Sequence, residues 1–335
     1  MVMVSRSGPS GPTASRTPAS RTRYPQPVTS ATPAPTTASA ATAATPPPES
    51  SPLVVIGAGT MGAGIAYVAA TAGYPVFVVE PDDARRAGAA ENLRATFDKA
   101  VARGRVGSPE ADEAYARLSF LPALTEVPDG PHLIVEAVPE RLDLKRAVLA
   151  EAAAKNPRVL ASNTSSIPIG SLAEGLPRPA DFLGLHFFNP VYAMPLLEIV
   201  TGAATSAETH RLALDFAHTL GKDPISVADH PGFATSRLGV ALGLEAIRML
   251  EDGVASAADI DKAMVLGYRH PMGPLELTDV VGLDVRLDIA RTLQAAYGER
   301  YAPPKLLEDL VAAGKLGKKT GAGFHRWTPD GRRAI

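Results

Sequence analysis

The 335-residue chain contains no cysteine, which excludes a disulfide framework, cysteine-ligated zinc or iron–sulfur chemistry and a thiol nucleophile. It also lacks any apolar run of the roughly 18 to 20 residues that a membrane span needs, because charged residues or proline interrupt every hydrophobic stretch. There is no basic run, and 33 Lys and Arg against 35 Asp and Glu leave a formal charge of −2. That balance is a poor footing for nucleic acid as partner. Amides are scarce, with four Asn and two Gln, and the bases lean towards Arg, which suits a GC-rich genome or a thermophile equally.

What is present is an ordinary globular composition, 45% apolar, in a length that allows two domains. The charge is unevenly spread. Residues 1–50 hold four Arg against the single acid Glu49, whereas the remainder holds 29 bases against 34 acids. The first segment is mostly Pro, Ser, Thr and Ala without apolar periodicity, so it is expected to be a disordered tail. Its ten prolines oppose the amphipathic helix of a transit peptide, and a cytoplasmic protein is expected.

From Leu53 the pattern changes to strands alternating with helices. Short apolar runs at 53–56, 76–80, 133–138, 159–161, 182–188 and 196–200 read as strands, and 61–72, 82–103 and 142–155 as the helices between them. Such alternation predicts an α/β domain with a mostly parallel, doubly wound sheet. After about Pro231 the strand pattern stops, and 233–250, 256–266, 275–280, 283–296 and 305–313 read as helices. The expected organisation is a tail at 1–50, a Rossmann-like domain at 51–229 and an all-helical C-terminal domain at 230–330.

Between the first strand and first helix stands Gly57-Ala58-Gly59-Thr60-Met61-Gly62. In that setting G-x-G-x-x-G has physical meaning: a tight turn, close backbone approach to a pyrophosphate, and close packing of helix on strand. Glu80 ends the second strand, eighteen residues after Gly62. A carboxylate there accepts ribose hydroxyls and repels a 2′-phosphate, so NAD is expected over NADP. Arg85 and Arg86 follow closely and read as a solvated helix face.

His186 follows the apolar run Phe182 to Leu185 and precedes Phe187-Phe188-Asn189-Pro190. From position alone it reads equally as a satisfied core histidine. Glu198, twelve residues on in Leu196-Leu197-Glu198-Ile199-Val200, is a carboxylate inside an apolar strand and therefore needs a partner. Two consecutive strands joined by residues 189–195 bring the two within reach. A carboxylate on one imidazole nitrogen sets the tautomer and leaves the other to exchange a proton with substrate, which beside a nicotinamide means alcohol oxidation. Ser162-Asn163-Thr164-Ser165-Ser166 offers further donors at a strand's carboxyl end, where open α/β sheets bind ligands.

The strings GAGTMGAGIA, VEAVPE, SNTSSIPI, HFFNPVYAMPLLEIV, DHPGF, PMGPLEL and GKKTGAGF, in this order from Gly57 to Phe324, together resemble the L-3-hydroxyacyl-CoA dehydrogenase family. The resemblance covers nearly all of the chain after the tail. It implies an NAD-dependent enzyme of fatty acid or related acyl-CoA metabolism, including β-oxidation, that interconverts (S)-3-hydroxyacyl-CoA and 3-ketoacyl-CoA. Under it, His186 is the acid/base, Glu198 its partner and Ser165 the holder of the 3-oxygen. Cofactor contacts fall on Gly57, Gly59, Thr60, Met61, Gly62, Glu80, Glu140, Lys145, Ser165, Asn189 and Lys319. Coenzyme A contacts fall on Thr96 and Arg103, seven residues apart on one helix, with Arg103 standing where the family often has Lys. Ser236 occupies a position where the family typically has a substrate-contacting Asn. No metal is implied, and a homodimer through the helical domain is, although those apolar helices read equally as a monomer's own core. The alternative on the same scaffold is a dehydrogenase of a free β-hydroxy acid or sugar acid.

Overall fold

The computed structural model describes residues 52–334; the tail expected at 1–50 lies outside them. The described chain opens with β1 (Leu53–Ile56), α1 (Thr60–Thr71) and β2 (Val76–Val79), a βαβ unit whose helix is closed by Gly73 at φ +98°. All four β1 residues are buried, as expected of a strand covered by helices on both faces. There follow α2 (Asp83–Ala102), α3 (Ser108–Ala116), β3 (Leu118–Leu121), β4 (Leu133–Glu136), α4 (Leu142–Ala153) and β5 (Val159–Ser162). Next come α5 (Ile169–Ala173), β6 (Phe182–Phe187), β7 (Leu196–Thr201), α6 (Ala207–Thr219) and β8 (Asp223–Ala228).

The eight strands form one sheet in the order β3-β2-β1-β4-β5-β6-β7-β8. Every neighbouring pair is parallel except β6 and β7. Strand order reverses between β1 and β4, and a cleft opens at the carboxyl ends there. One apolar core, including Val55, Ile65, Phe97, Leu185 and Phe216, lies on one face of the sheet, and another, including Ile134, Leu149 and Phe182, on the other. Each such side chain contributes about 1.5–3 kcal/mol by leaving water.

The remainder is helical: α7 (Thr235–Glu251), α8 (Ala257–Tyr268), α9 (Pro274–Val281), α10 (Leu283–Tyr297) and α11 (Lys305–Ala312). Val240, Leu244, Ile247, Leu283, Leu287 and Leu293 centre its own core. Asp261, buried on α8, accepts the backbone N–H groups of Leu275 and Glu276 at 2.8 and 3.0 Å and so caps α9.

Elements absent from the sequence reading are α3, β3, α5, α6 and β8. The strand β8 sits at the sheet edge, mostly exposed and carrying Pro224, a combination that only an edge strand tolerates and that hides the usual apolar signal.

Candidate active site

The turn after β1 is built by its glycines. Gly57 has φ +100°, and a Cβ there would meet the Ala137 carbonyl oxygen at 2.9 Å, while a Cβ on Gly62 would overlap the Gly57 carbonyl. At Gly59 a Cβ would meet no protein atom within 4 Å; the space belongs to the cleft. The N-terminus of α1 has no side-chain cap, so its first-turn N–H groups remain for an anion. Glu80, buried past the end of β2, accepts from Ala58 N and Asp82 N, each at 3.3 Å. Arg85 reaches back to the same carboxylate at 3.1 Å, and Arg86 donates to the Glu80 carbonyl at 2.9 Å. Arg85 still lies mostly in solvent, as read from the sequence, whereas Arg86 is half-buried against the end of β2.

A buried acid network stands beyond β4. Lys145 is 0% exposed, with Nζ 2.7 Å from Glu136 Oε1, 3.2 Å from the Val138 carbonyl and 3.3 Å from Glu140 Oε2. Ser162 donates to the other Glu136 oxygen at 2.6 Å. Glu140 Oε1 gathers Thr164 Oγ1 at 2.6 Å and the backbone N–H groups of Ser165 and Ser166 at 3.0 and 3.1 Å. Burial alone would raise the Glu140 carboxyl, but Lys145 and the Thr164 and Ser165 donors outweigh it and hold it low. The network thus sets the turn that carries Ser165. Glu136 was missed as a functional position in the sequence, although it lies within a string quoted for the resemblance, and Ser162, read there as one of a cluster of ligand donors, is instead spent on Glu136.

His186 and Glu198 are register partners across the antiparallel pair β6 and β7. His186 Nδ1 donates to Glu198 Oε2 at 2.6 Å. Glu198 is fully buried and also accepts Thr235 Oγ1 at 2.8 Å, Thr235 N at 3.0 Å and Ala234 N at 3.2 Å. The N-terminus of α7 thereby closes on the carboxylate. Burial pushes this carboxyl upward, yet the hydrogen bonds from His186 and Thr235 prevail and its pKa falls below the usual value. Thr235 is a contributor that the sequence reading missed. The His186 ring packs against Phe188 and Phe233, with centroids 4.4 and 5.8 Å away.

A cavity of about 1030 Å³ joins these parts: Gly57, Gly59, Glu80, Glu140, Ser165 and His186 all line it. Val285 of α10 adds a wall from the helical part. Asn163, also in the lining, holds Phe187 N through Oδ1 at 3.0 Å. An adjoining cavity of about 520 Å³ runs between α1, α2 and the loop after β6, lined by Tyr67, Asn92, Thr96 and Tyr192 among others. Gly59, Thr60, Arg85 and Asn189 border both cavities. Lys222 braces the shared loop, its buried ammonium on the Val191 carbonyl and, at 2.8 Å, the Met194 carbonyl. Burial pushes its pKa down.

Not every expected residue converges. Arg103 is exposed at the end of α2 and outside the lining of either cavity, and Lys319 pairs with Asp284 at 2.6 Å. Lys145 is enclosed rather than open to the cleft. Ser236 donates to the Ser165 carbonyl at 3.4 Å, tying α7 to the serine turn.

Two family models match the chain, the 3-hydroxyacyl-CoA dehydrogenase NAD-binding domain over residues 52–230 and the 3-hydroxyacyl-CoA dehydrogenase C-terminal domain over residues 232–327. A 3-hydroxybutyryl-CoA dehydrogenase of Mycobacterium tuberculosis is 43% identical over 278 residues, which are 82% of this chain and 97% of the relative. The mitochondrial hydroxyacyl-coenzyme A dehydrogenase of Homo sapiens is 40% identical over 285 residues, covering 82% and 90%. Among solved structures, FadB2 of M. tuberculosis superposes with a TM-score of 0.80 at 42% identity, covering 83% of this chain and 99% of that one. The (S)-3-hydroxybutyryl-CoA dehydrogenase of Ralstonia eutropha gives 0.79 at 35% identity, covering 82% and 98%. The chain belongs to the 3-hydroxyacyl-CoA dehydrogenase family, with an NAD-binding domain followed by the family's C-terminal domain.

Proposed function

We propose that this protein is an NAD-dependent dehydrogenase interconverting (S)-3-hydroxyacyl-CoA and 3-ketoacyl-CoA, with His186 as the acid/base. The observation that carries the reading is the His186–Glu198 pair opening onto the same cavity as the glycine turn and Glu80. NAD fits the residues present: the space left at Gly59 and the uncapped start of α1 suit its pyrophosphate, and Glu80 suits a ribose. When bound there, NAD would supply the hydride acceptor for oxidation, and its reduced form the donor for reduction.

The chain's own residues handle the proton and the orientation. Glu198 keeps the His186 proton on Nδ1, so Nε2 takes the proton of the 3-hydroxyl in oxidation and returns it in reduction. The imidazolium formed is stabilised by the buried carboxylate. Ser165 holds the 3-oxygen, Glu140 fixes the Ser165 turn, and Lys145 acts through Glu140. Asn189 borders both cavities and suits a contact where cofactor and substrate meet. Thr96 in the adjoining cavity supports coenzyme A there; Arg103, seven residues further on at the end of α2 and outside that lining, is assigned to a coenzyme A phosphate, and Lys319 to the cofactor.

In this reading residues 51–229 bind the cofactor, while 230–330 complete the substrate site and dimerise. The exposed apolar side chains Leu238, Leu266, Tyr268 and Val280 of the helical part support a homodimer. No described helix is long and apolar enough to cross a membrane, and we assign the enzyme to the cytoplasm. Loss of NADH absorbance on adding acetoacetyl-CoA is the direct test. Turnover only of free β-hydroxy acids or sugar acids would replace the thioester reading with the alternative one.

A further inference from the structure

Arg286 of α10 is only 5% exposed. Its Nε is buried with no hydrogen-bond partner among the described residues. Burial alone pulls its pKa down to about 10, with no acid nearby to oppose the shift. The guanidinium nevertheless stays cationic at neutral pH. A buried cation without a partner is costly, so this position calls for an anion that the described chain does not supply.

The neighbours show where that anion belongs. A Cβ on Gly243 of α7 would lie 3.8 Å from Arg286 Nε and 3.9 Å from Cζ, and one on Gly239 would lie 3.5 Å from Nη1. The side chain therefore lies along α7 with its tip towards that helix's N-terminus. Ser236 comes three residues before Gly239 on the same face, about 4.5 Å along the axis. Its Oγ in turn reaches the carbonyl of Ser165, which lines the main cavity with His186. Val285, the residue before Arg286, lines that cavity as well. Glycine at 239 and 243 makes room along α7 for the guanidinium itself, and the short side chain of Ser236 lies between its tip and the Ser165 turn.

We propose that Arg286 determines specificity by pairing with a carboxylate at the far end of the substrate's acyl chain. The inference rests on the acyl-CoA reading of the His186 site. The preferred substrates are then thioesters of 3-hydroxy and 3-keto dicarboxylic acids. A few methylenes span from the carbon held between His186 and Ser165, past Ser236, to the guanidinium. The reaction at C3 is unchanged, and only the group that anchors the chain's end is new.

The test compares two six-carbon 3-ketoacyl-CoA substrates, one with a terminal carboxylate and one with a terminal methyl, in the full-length enzyme with NADH. The expected kcat/KM ratio favours the carboxylate by at least about tenfold, the worth of one charge-assisted hydrogen bond. Arg286→Met should invert the preference, and Arg286→Lys should restore part of it. Equal kcat/KM for the two substrates overturns the proposal. So does an Arg286→Met variant that loses both alike, which is a packing role, or one that becomes monomeric while keeping the preference, which assigns the guanidinium to a second copy of the chain. Activity on neither substrate nor on acetoacetyl-CoA would instead refute the acyl-CoA reading beneath it.

Discussion

His186 Nδ1 lies 2.6 Å from Oε2 of Glu198, its direct register partner across β6 and β7. Because the two residues sit opposite each other in a hydrogen-bonded ladder, the sheet itself fixes their geometry. A one-residue slip of either strand would turn its side chain to the opposite face and separate the pair. The carboxylate is fully buried, and four donors surround it: the imidazole, the Thr235 hydroxyl and the backbone N–H groups of Ala234 and Thr235.

His186→Ala is expected to leave NADH binding nearly intact and to lower turnover by about two to four powers of ten, the usual worth of a positioned acid/base. Glu198→Gln should be severely impaired as well, since an amide neither fixes the tautomer nor stabilises imidazolium. Fluorescence titration with NADH and steady-state turnover separate binding from chemistry. Unchanged turnover in both variants would remove the pair from the mechanism.

The depressed Glu198 pKa gives a pH prediction with a definite sign. A carboxylate whose folded pKa lies below its unfolded one stabilises the protein above the unfolded value, and that stability is lost as pH falls through the folded value. Thr235→Val removes one of the hydrogen bonds that lower it, while the backbone donors remain. The acidic limb of both kcat/KM and thermal stability should therefore move to higher pH. At neutral pH the variant should lose about 1–3 kcal/mol, the cost of an unmet hydrogen bond to a charged group. Thr235→Ser, which keeps the hydroxyl, should behave like the parent.

Much of this site was legible in the sequence because its parts obey local rules. Gly57 and Gly62 stand at a strand-to-helix turn where backbone strain and close packing demand glycine, and Glu198 announces itself as a charge inside an apolar strand. Partners that act from a distance were not legible. Thr235 reaches Glu198 across 37 residues, and Ser162 reaches Glu136 across 26, separations that no periodicity encodes. The helix α6 did carry a signal: Ser206 caps it by accepting from Thr209 N, and Leu212, Ala213, Phe216 and Ala217 form its buried stripe. The exposed edge strand that follows offered none.

Lys145 balances two acids, Glu136 and Glu140, from a fully enclosed position. Lys145→Met is expected to destabilise the fold by about 3–5 kcal/mol, because it leaves buried carboxylate charge without a counter-ion. It should also raise the KM for NADH, since Glu140 would no longer be held against the Ser165 turn. Adding Glu136→Gln should recover part of the thermal midpoint by removing the uncompensated charge. A Lys145→Met enzyme with an unchanged midpoint and an unchanged KM would show that the network is dispensable.

Ser236 stands where the resemblance implies a substrate-contacting Asn, and its hydroxyl spans 3.4 Å to the Ser165 carbonyl. An asparagine there projects further from α7 and brings both an amide donor and an acceptor. It would reach towards the thioester directly, where serine would need a bridging water, a link that need not be weaker. The longer side chain would also take up space between Ser165 and Gly239. Ser236→Asn is therefore expected to change the KM and the preference among acyl chains more than it changes turnover on the best substrate. Steady-state kinetics over a series of 3-ketoacyl-CoA lengths measures this. The opposite outcome is equally distinct: if the parent protein reduces no 3-ketoacyl-CoA while Ser236→Asn does, serine marks an enzyme that has left acyl-CoA substrates, and the proposed substrate class is wrong.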